Sequence, residues 1–289
     1  MSIVKNFRFV VLAMVAVVFL MTSSAVASDS QFRLGVVGSL GMSKLHRKAD
    51  PRSPTDERGQ IEIKDFDSKT GFSFGVIGEY PTNEYFAIAT GLVFAQRGGK
   101  LEKSEHGDGY ERKLKINQNI NYLQIPMNAK FSYPINDDLK VFGFTGPYLA
   151  FALTGKMTVD YKGQAFVSDS IEMTIDSFSG DVSGNYHSSY GENNYSGNYS
   201  GNVSGDVFQT ENNGGRWIAD ITRYTSVPEA NCLLLKRADF GLSFGGGVEY
   251  KKFFVSIQSD LGLINISKAK GVNYKMSNRN FGISVGYMF

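Results

Sequence analysis

The chain has one cysteine, one tryptophan, seven prolines and three histidines in 289 residues. A single thiol, Cys232, excludes an intrachain disulfide and reads as a lone buried or loop cysteine. The histidines, His46, His106 and His187, are too scattered to show metal-ligand spacing. Beyond Met21 no apolar run approaches the roughly 18 residues of a transmembrane helix. A membrane-embedded form of the mature chain therefore has to be a β-barrel, the other architecture that satisfies every backbone group in lipid. There is no Gly-x-Ser-x-Gly elbow, no phosphate-binding glycine loop ending in Lys-Ser/Thr and no cysteine cluster. His106 beside Ser104 and Glu105, and His187 beside Ser188 and Ser189, supply nucleophile and base types but no geometry. No catalytic residue, cofactor or metal is expected, and the chain is read as non-enzymatic.

The one long apolar run is at the start. Lys5 and Arg8 precede Phe9 to Met21, and Ala25-Val26-Ala27 follows, the charge, length and cleavage pattern of a secretory signal. Cleavage is expected after Ala27, because a run this short is marginal as a membrane anchor. Removing Lys5 and Arg8 with residues 1–27 leaves 28 basic against 28 acidic residues. No clustered basic face remains, which excludes a nucleic-acid footprint.

Aromatic residues are plentiful, with 22 phenylalanines and 15 tyrosines, and they fall with period two. Residues 279–289 set Phe281, Ile283, Val285, Tyr287 and Phe289 against Asn280, Gly282, Ser284, Gly286 and Met288. That is the pattern of a last strand in an outer-membrane barrel, apolar toward lipid and small or polar inside. Alternation recurs over 31–43, 70–80, 85–97, 121–133, 239–250 and 253–264, while 139–154 is apolar on both faces and leaves its register open. A soluble sandwich would alternate too, so the connections decide. Those near Pro81 to Glu84, Pro134 to Asp138 and Lys251-Lys252 are short and alternate strictly with long ones, as periplasmic turns alternate with extracellular loops. The sequence predicts an all-β fold: an eight-stranded antiparallel up-and-down transmembrane β-barrel over residues 28–289 with long extracellular loops.

The polar strand faces then point inward and place Arg33, Glu79, Arg97, Lys130, Glu249 and Asp260 in the lumen as one network. Eight strands enclose a space that side chains just fill, and unpaired charge away from water is costly. A salt-bridged plug is expected, with a proton or ion path as the alternative. On the last strand, Phe281, Ile283, Val285, Tyr287 and Phe289 read as an assembly signal for the barrel-insertion machinery. The third long loop, 156–236, is rich in Ser, Gly, Asn and Tyr. Its apolar or aromatic positions, from Phe178 and Val182 to Val203 and Val207, mirror about residues 191–194. They predict a β-hairpin with a four-residue loop, Tyr190 opposite Tyr195 and Tyr186 opposite Tyr199; a disordered low-complexity loop competes with it. Tyr186, Tyr190, Tyr195 and Tyr199 make the hairpin a candidate recognition surface, because Tyr, Ser, Gly and Asn build adaptable binding faces.

At Asn121-Tyr122-Leu123-Gln124-Ile125-Pro126, Gly146-Pro147-Tyr148-Leu149, Asp239-Phe240-Gly241 and Gly245-Gly246-Gly247, the chain resembles the PorT family of outer-membrane β-barrel proteins. The resemblance covers residues 31–155 and 237–289. It departs at Gln124 and Met127-Asn128-Ala129, where family members commonly carry Glu and a Leu-rich run. It implies a barrel in the cell outer membrane of a Gram-negative envelope. Because the founding member is implicated in protein secretion, it also implies an accessory secretion role as an alternative. The leading expectation is an integral outer-membrane protein with a surface-interaction or envelope-structural role carried by its loops. A rim-active lipid-modifying enzyme and a small pore are further alternatives. Expected partners are outer-membrane lipid, the insertion machinery, and an extracellular ligand or secretion-system proteins.

Overall fold

A computed structural model describes residues 32–49, 66–107, 110–164, 167–190, 193–202, 234–268 and 274–289. The signal segment with its cleavage site, Cys232, Val203 and Val207 lie outside the described residues. The described chain has eleven strands and no helix: β1 (Arg33–Ala49), β2 (Lys69–Pro81), β3 (Phe86–Gly107), β4 (Tyr110–Pro134), β5 (Leu139–Gln164), β6 (Val167–Asp176), β7 (Asp181–Tyr190), β8 (Asn193–Asn202), β9 (Ala238–Tyr250), β10 (Phe253–Gly262) and β11 (Tyr274–Met288).

Eight strands close a ring in the order β1-β2-β3-β4-β5-β9-β10-β11, every neighbouring pair antiparallel. The closing pair is β1 with β11, in register from Gly35–Met288 to Ala49–Tyr274. Local chemistry fixes the short turns. The Asn83 side-chain oxygen accepts from the backbone N–H groups of Tyr85 and Phe86, both at 2.9 Å. Asn136 does the same for Asp138 and Leu139 at 3.0 and 2.8 Å, so each Asx turn satisfies backbone donors that the ladder does not. Between Tyr250 and Phe253, Lys251 takes a φ of 55°, the positive value that tight two-residue hairpins require.

β5 belongs to two systems. Its first half pairs with β9, from Leu139–Tyr250 to Phe151–Ala238, and its second half pairs with β6, from Lys156–Asp176 to Gln164–Ser168. β6, β7 and β8 therefore branch from the ring as a sheet extension. The face left open by the sequence is resolved here: Phe142, Tyr148, Ala150 and Ala152 are buried, while Val141, Leu149 and Phe151 are exposed. At Leu153 a bulge interrupts the pairing, with Tyr122 opposite Ala152 but Asn121 opposite Thr154. The inward set changes from even to odd positions, and Met157 and Val159 are buried beyond it.

Strands β3 to β5 are much longer than their alternation suggested, and the extra length forms a second zone. Toward the turns, the ring exposes large apolar side chains outward, such as Leu149, Ile257, Ile283 and Phe281. Tyr85, Phe131 and Tyr133 stack in a row at the turn end, centroids 6.2 and 6.5 Å apart, like an interfacial aromatic girdle. Toward the loops the polarity reverses. Leu101, Leu114, Ile116, Ile120, Val159 and Ile175 are buried in one cluster with Leu45 and Ile266, while Glu102, Lys113 and Glu172 are exposed outside. Burying each such aliphatic side chain contributes about 1.5–3 kcal/mol, and this core holds the branch down.

β7 and β8 pair with Tyr190 opposite Asn193, not Tyr195, and with Tyr186 opposite Gly197, not Tyr199. The mirror register is thus off by two residues, leaving two residues between the strands where four were expected. Two-residue connections match the twist of the flanking strands. In this register the Tyr199 position faces Gly184 and the Tyr195 position faces Ser188, so no two aromatic positions oppose one another.

Candidate functional site

The six lumen residues read from the sequence are all on inward strand positions, but they form two layers, not one network. In the turn-end layer, Arg33 of β1 reaches Glu79 of β2 at 3.3 Å and Glu249 of β9 at 2.5 Å. Lys130 of β4 reaches the same two carboxylates at 2.5 and 3.4 Å. Two cations and two carboxylates alternate, so each charge has two partners of opposite sign. Lys130 also lies 4.3 Å from the Phe142 ring centroid. Arg33 differs from the rest in that its side chain remains 30% exposed.

Arg97 and Asp260 belong to the second layer, nearer the loops. The Arg97 guanidinium lies 2.7 Å from Asp260 and 3.4 Å from Asp239, donates to Gln124, and sits over the Tyr148 and Tyr122 rings at 5.0 and 5.6 Å. The partners are themselves held. Asp260 accepts from Ser243 at 2.7 Å and Gln258 at 2.9 Å, while Asp239 accepts from Asn278 at 2.9 Å and Tyr148 at 3.1 Å. Residues of four other ring strands, β4, β5, β9 and β10, thus converge on one side chain of β3 that is 2% exposed. A buried guanidinium persists when its hydrogen bonds and counter-charges offset desolvation, and this layer supplies both.

Sequence reasoning missed Asp239, Tyr122, Tyr148, Gln124 and Asn278. Parity alone would have found Asp239, which shares its face with Ser243 and Glu249, and Tyr122, which shares its face with Gln124. Tyr148 was hidden because both faces of β5 are apolar. The assembly-signal residues lie on the outer face of β11 and, for Phe289, just past its end: Phe281, Ile283, Val285 and Phe289 are exposed, and Tyr287 makes edge contacts with Phe253 and Phe289 at 4.9 and 5.5 Å. Tyr186, Tyr190, Tyr195 and Tyr199 are positions of the β7–β8 pair.

Between the layers lies a cavity of about 110 Å³. Glu79 and Lys130 line one end, Gln124 and Asp260 the other, so side chains fill the lumen at two levels and not throughout. Neither layer contains a histidine or a cysteine. No group of three or more His, Cys, Asp or Glu residues that could hold a metal ion occurs among the described residues. The layers can neutralise and bar the lumen.

No curated protein matches the sequence. Similar solved structures include Ail, the attachment invasion locus protein of Yersinia pestis (11% identity, 88% of this chain and 98% of that one, TM-score 0.27). They also include the outer membrane protease OmpT of Escherichia coli (9%, 89% and 96%, TM-score 0.34) and a FadL homologue of Pseudomonas aeruginosa (8%, 90% and 90%, TM-score 0.22). Likenesses this low carry no activity or partner across. The family evidence is of another order, since residues 23–268 match a family defined by its outer membrane protein β-barrel domain. With its closed antiparallel ring, outward apolar band and inward charged layers, the chain belongs to that outer membrane protein β-barrel family.

Proposed function

We propose that this protein is a non-enzymatic integral outer-membrane barrel whose folded loop end serves surface interaction on the extracellular side. The observation that carries this reading is the loop-end zone itself. Ring closure needs neither the second apolar core nor the branch β6–β8, yet both are built and present polar groups outward. Across four strands, Asp160, Glu172, Asn185 and Asn198 stand in register as one row, a solvated face suited to recognition. The test is topological. With Cys232→Ser as background, Asn185→Cys on intact cells should react with a membrane-impermeant maleimide, and Asp138→Cys in a turn should react after lysis alone. The opposite pattern would overturn the extracellular assignment. Crosslinking from Asn185→Cys would then report the partner.

The resemblance of residues 121–126, 146–149 and 239–247 to the PorT family favours a second reading, an accessory of a protein secretion system. A deletion strain that loses secreted cargo would favour it, and an unchanged secretome would exclude it. The two ion-paired layers speak against a pore. Single-channel recording in planar bilayers should show no large stable conductance.

A further inference from the structure

The ring wall has one weakened seam, and the cavity reaches it. On the β3–β4 side, pairing runs from Phe86–Phe131 to Thr90–Met127, stops opposite Ile125 and Pro126, and resumes at Val93–Gln124. Pro126 has no N–H to give the ladder, and proline is rare in paired strands for that reason. On the β4–β5 side the ladder also breaks, between Pro126–Tyr148 and Ala129–Thr145, where Pro147 stands. That second break is not loose. A β carbon on Gly146 would sit 2.0 Å from the Met127 carbonyl oxygen, so β5 packs directly against β4 there. The slack is therefore on the β3 side.

Thr90 marks the place. It occupies an outward position of β3, between Ile88 and Leu92, yet it lines the lumen cavity together with Pro126. Its hydroxyl donates to the Pro126 carbonyl oxygen at 2.8 Å, a side-chain latch across the gap in the ladder. Around the seam the outer surface is Ile125, Met127 and Ile88, all exposed, within the apolar band that the lipid reading assigns to hydrocarbon. Just inside, Ala89, Val93, Ala95 and Phe144 form an apolar strip of the cavity wall, with polar and charged side chains among the rest of the lining. On β4, Gln124, Asn128 and Lys130 border this strip, and the buried side-chain oxygen of Asn128 has no hydrogen-bond partner.

We propose that this cavity is a binding site for a narrow alkyl chain, admitted sideways from the bilayer between β3 and β4 at Pro126. Its volume is of the order that takes up a benzene-sized apolar molecule, so it holds a chain segment and not a whole lipid. The unpartnered Asn128 oxygen favours a chain bearing a hydroxyl over a plain one, because pairing it removes a desolvation cost. The alkyl chain is available from a free alkanol and from a lipid acyl chain, and the hydroxyl from the alkanol or from a hydroxylated acyl chain.

The proposal rests on the membrane-embedded reading of the ring, and photolabelling separates the two. Full-length protein is reconstituted with one of two probes, a photoreactive short-chain alkanol or a phosphatidylcholine carrying the same group near the end of one acyl chain. Adducts are mapped by mass spectrometry. Label on Ala89 and Val93 from either probe supports the site and identifies the source. Label from both probes confined to outward Ile125 and Met127 overturns it, leaving a water-filled cavity in a genuine membrane band. Absence of label on Ile125 and Met127 from the lipid probe overturns the embedded reading as well. Pro126→Ala restores the missing N–H and should reduce inward label to background while outward label persists; undiminished inward label would overturn sideways entry. Val93→Phe should fill the cavity and abolish inward label at Ala89, with the heat-modifiable gel shift confirming that each variant is folded.

Discussion

On the turn side of Arg97 the protein is apolar outside and charged within, and on the loop side it is charged outside and apolar within. The same strands, β3, β4 and β5, run through both arrangements. Inside and outside are therefore set by solvent and not by strand identity: lipid accepts Ile283 and Leu149 where water accepts Glu102 and Glu172. The Arg97 layer stands where the two regimes meet.

The largest effect should come from breaking that junction. Arg97→Met leaves Asp239 and Asp260 buried without their cation, a change that costs about 3–5 kcal/mol, read as a fall in the urea midpoint of the heat-modifiable band. Ile120→Ala, in the loop-end core, should cost roughly 2–5 kcal/mol. Its effect should be local, with faster amide exchange in β6 and the far half of β5 and unchanged protection in β10 and β11. Exchange rising equally throughout would mean that the zones melt as one unit. Ile283→Arg on the lipid side should cost about 2–4 kcal/mol near the bilayer midplane. The same residue at Asn185 should stay within about 0.5 kcal/mol; similar losses at the two positions would erase the contrast between them.

The ring was legible because period two survives wherever one face meets lipid and the other meets small or polar groups. Arg33, Glu79, Lys130 and Glu249 could be placed inward from parity, and their ion pairing followed from the cost of isolated buried charge. Two things hid the rest. Beyond Arg97 and before Asn121 the strands keep their parity but exchange polarity, with Leu101, Leu114 and Ile116 inside and Lys and Glu outside, and this imitates the end of a strand. In β5 the extra residue at Leu153 shifts the parity itself, so no single alternation describes residues 139–164. The tyrosine mirror in 178–207 located a pairing of strands but missed its register, because symmetry alone does not weigh a two-residue turn against a four-residue one.

β5 also sets how this architecture could diversify. The ring takes its last pair with β9 at Phe151–Ala238, and β6 takes over five residues later at Lys156. By ladder pairing, β6, β7 and β8 join the ring at β5 alone, as a scion is joined to rootstock. Insertions, deletions or exchange of the branch leave the ladder that closes the ring unread, so selection could rework the outer surface without reopening the problem of membrane insertion.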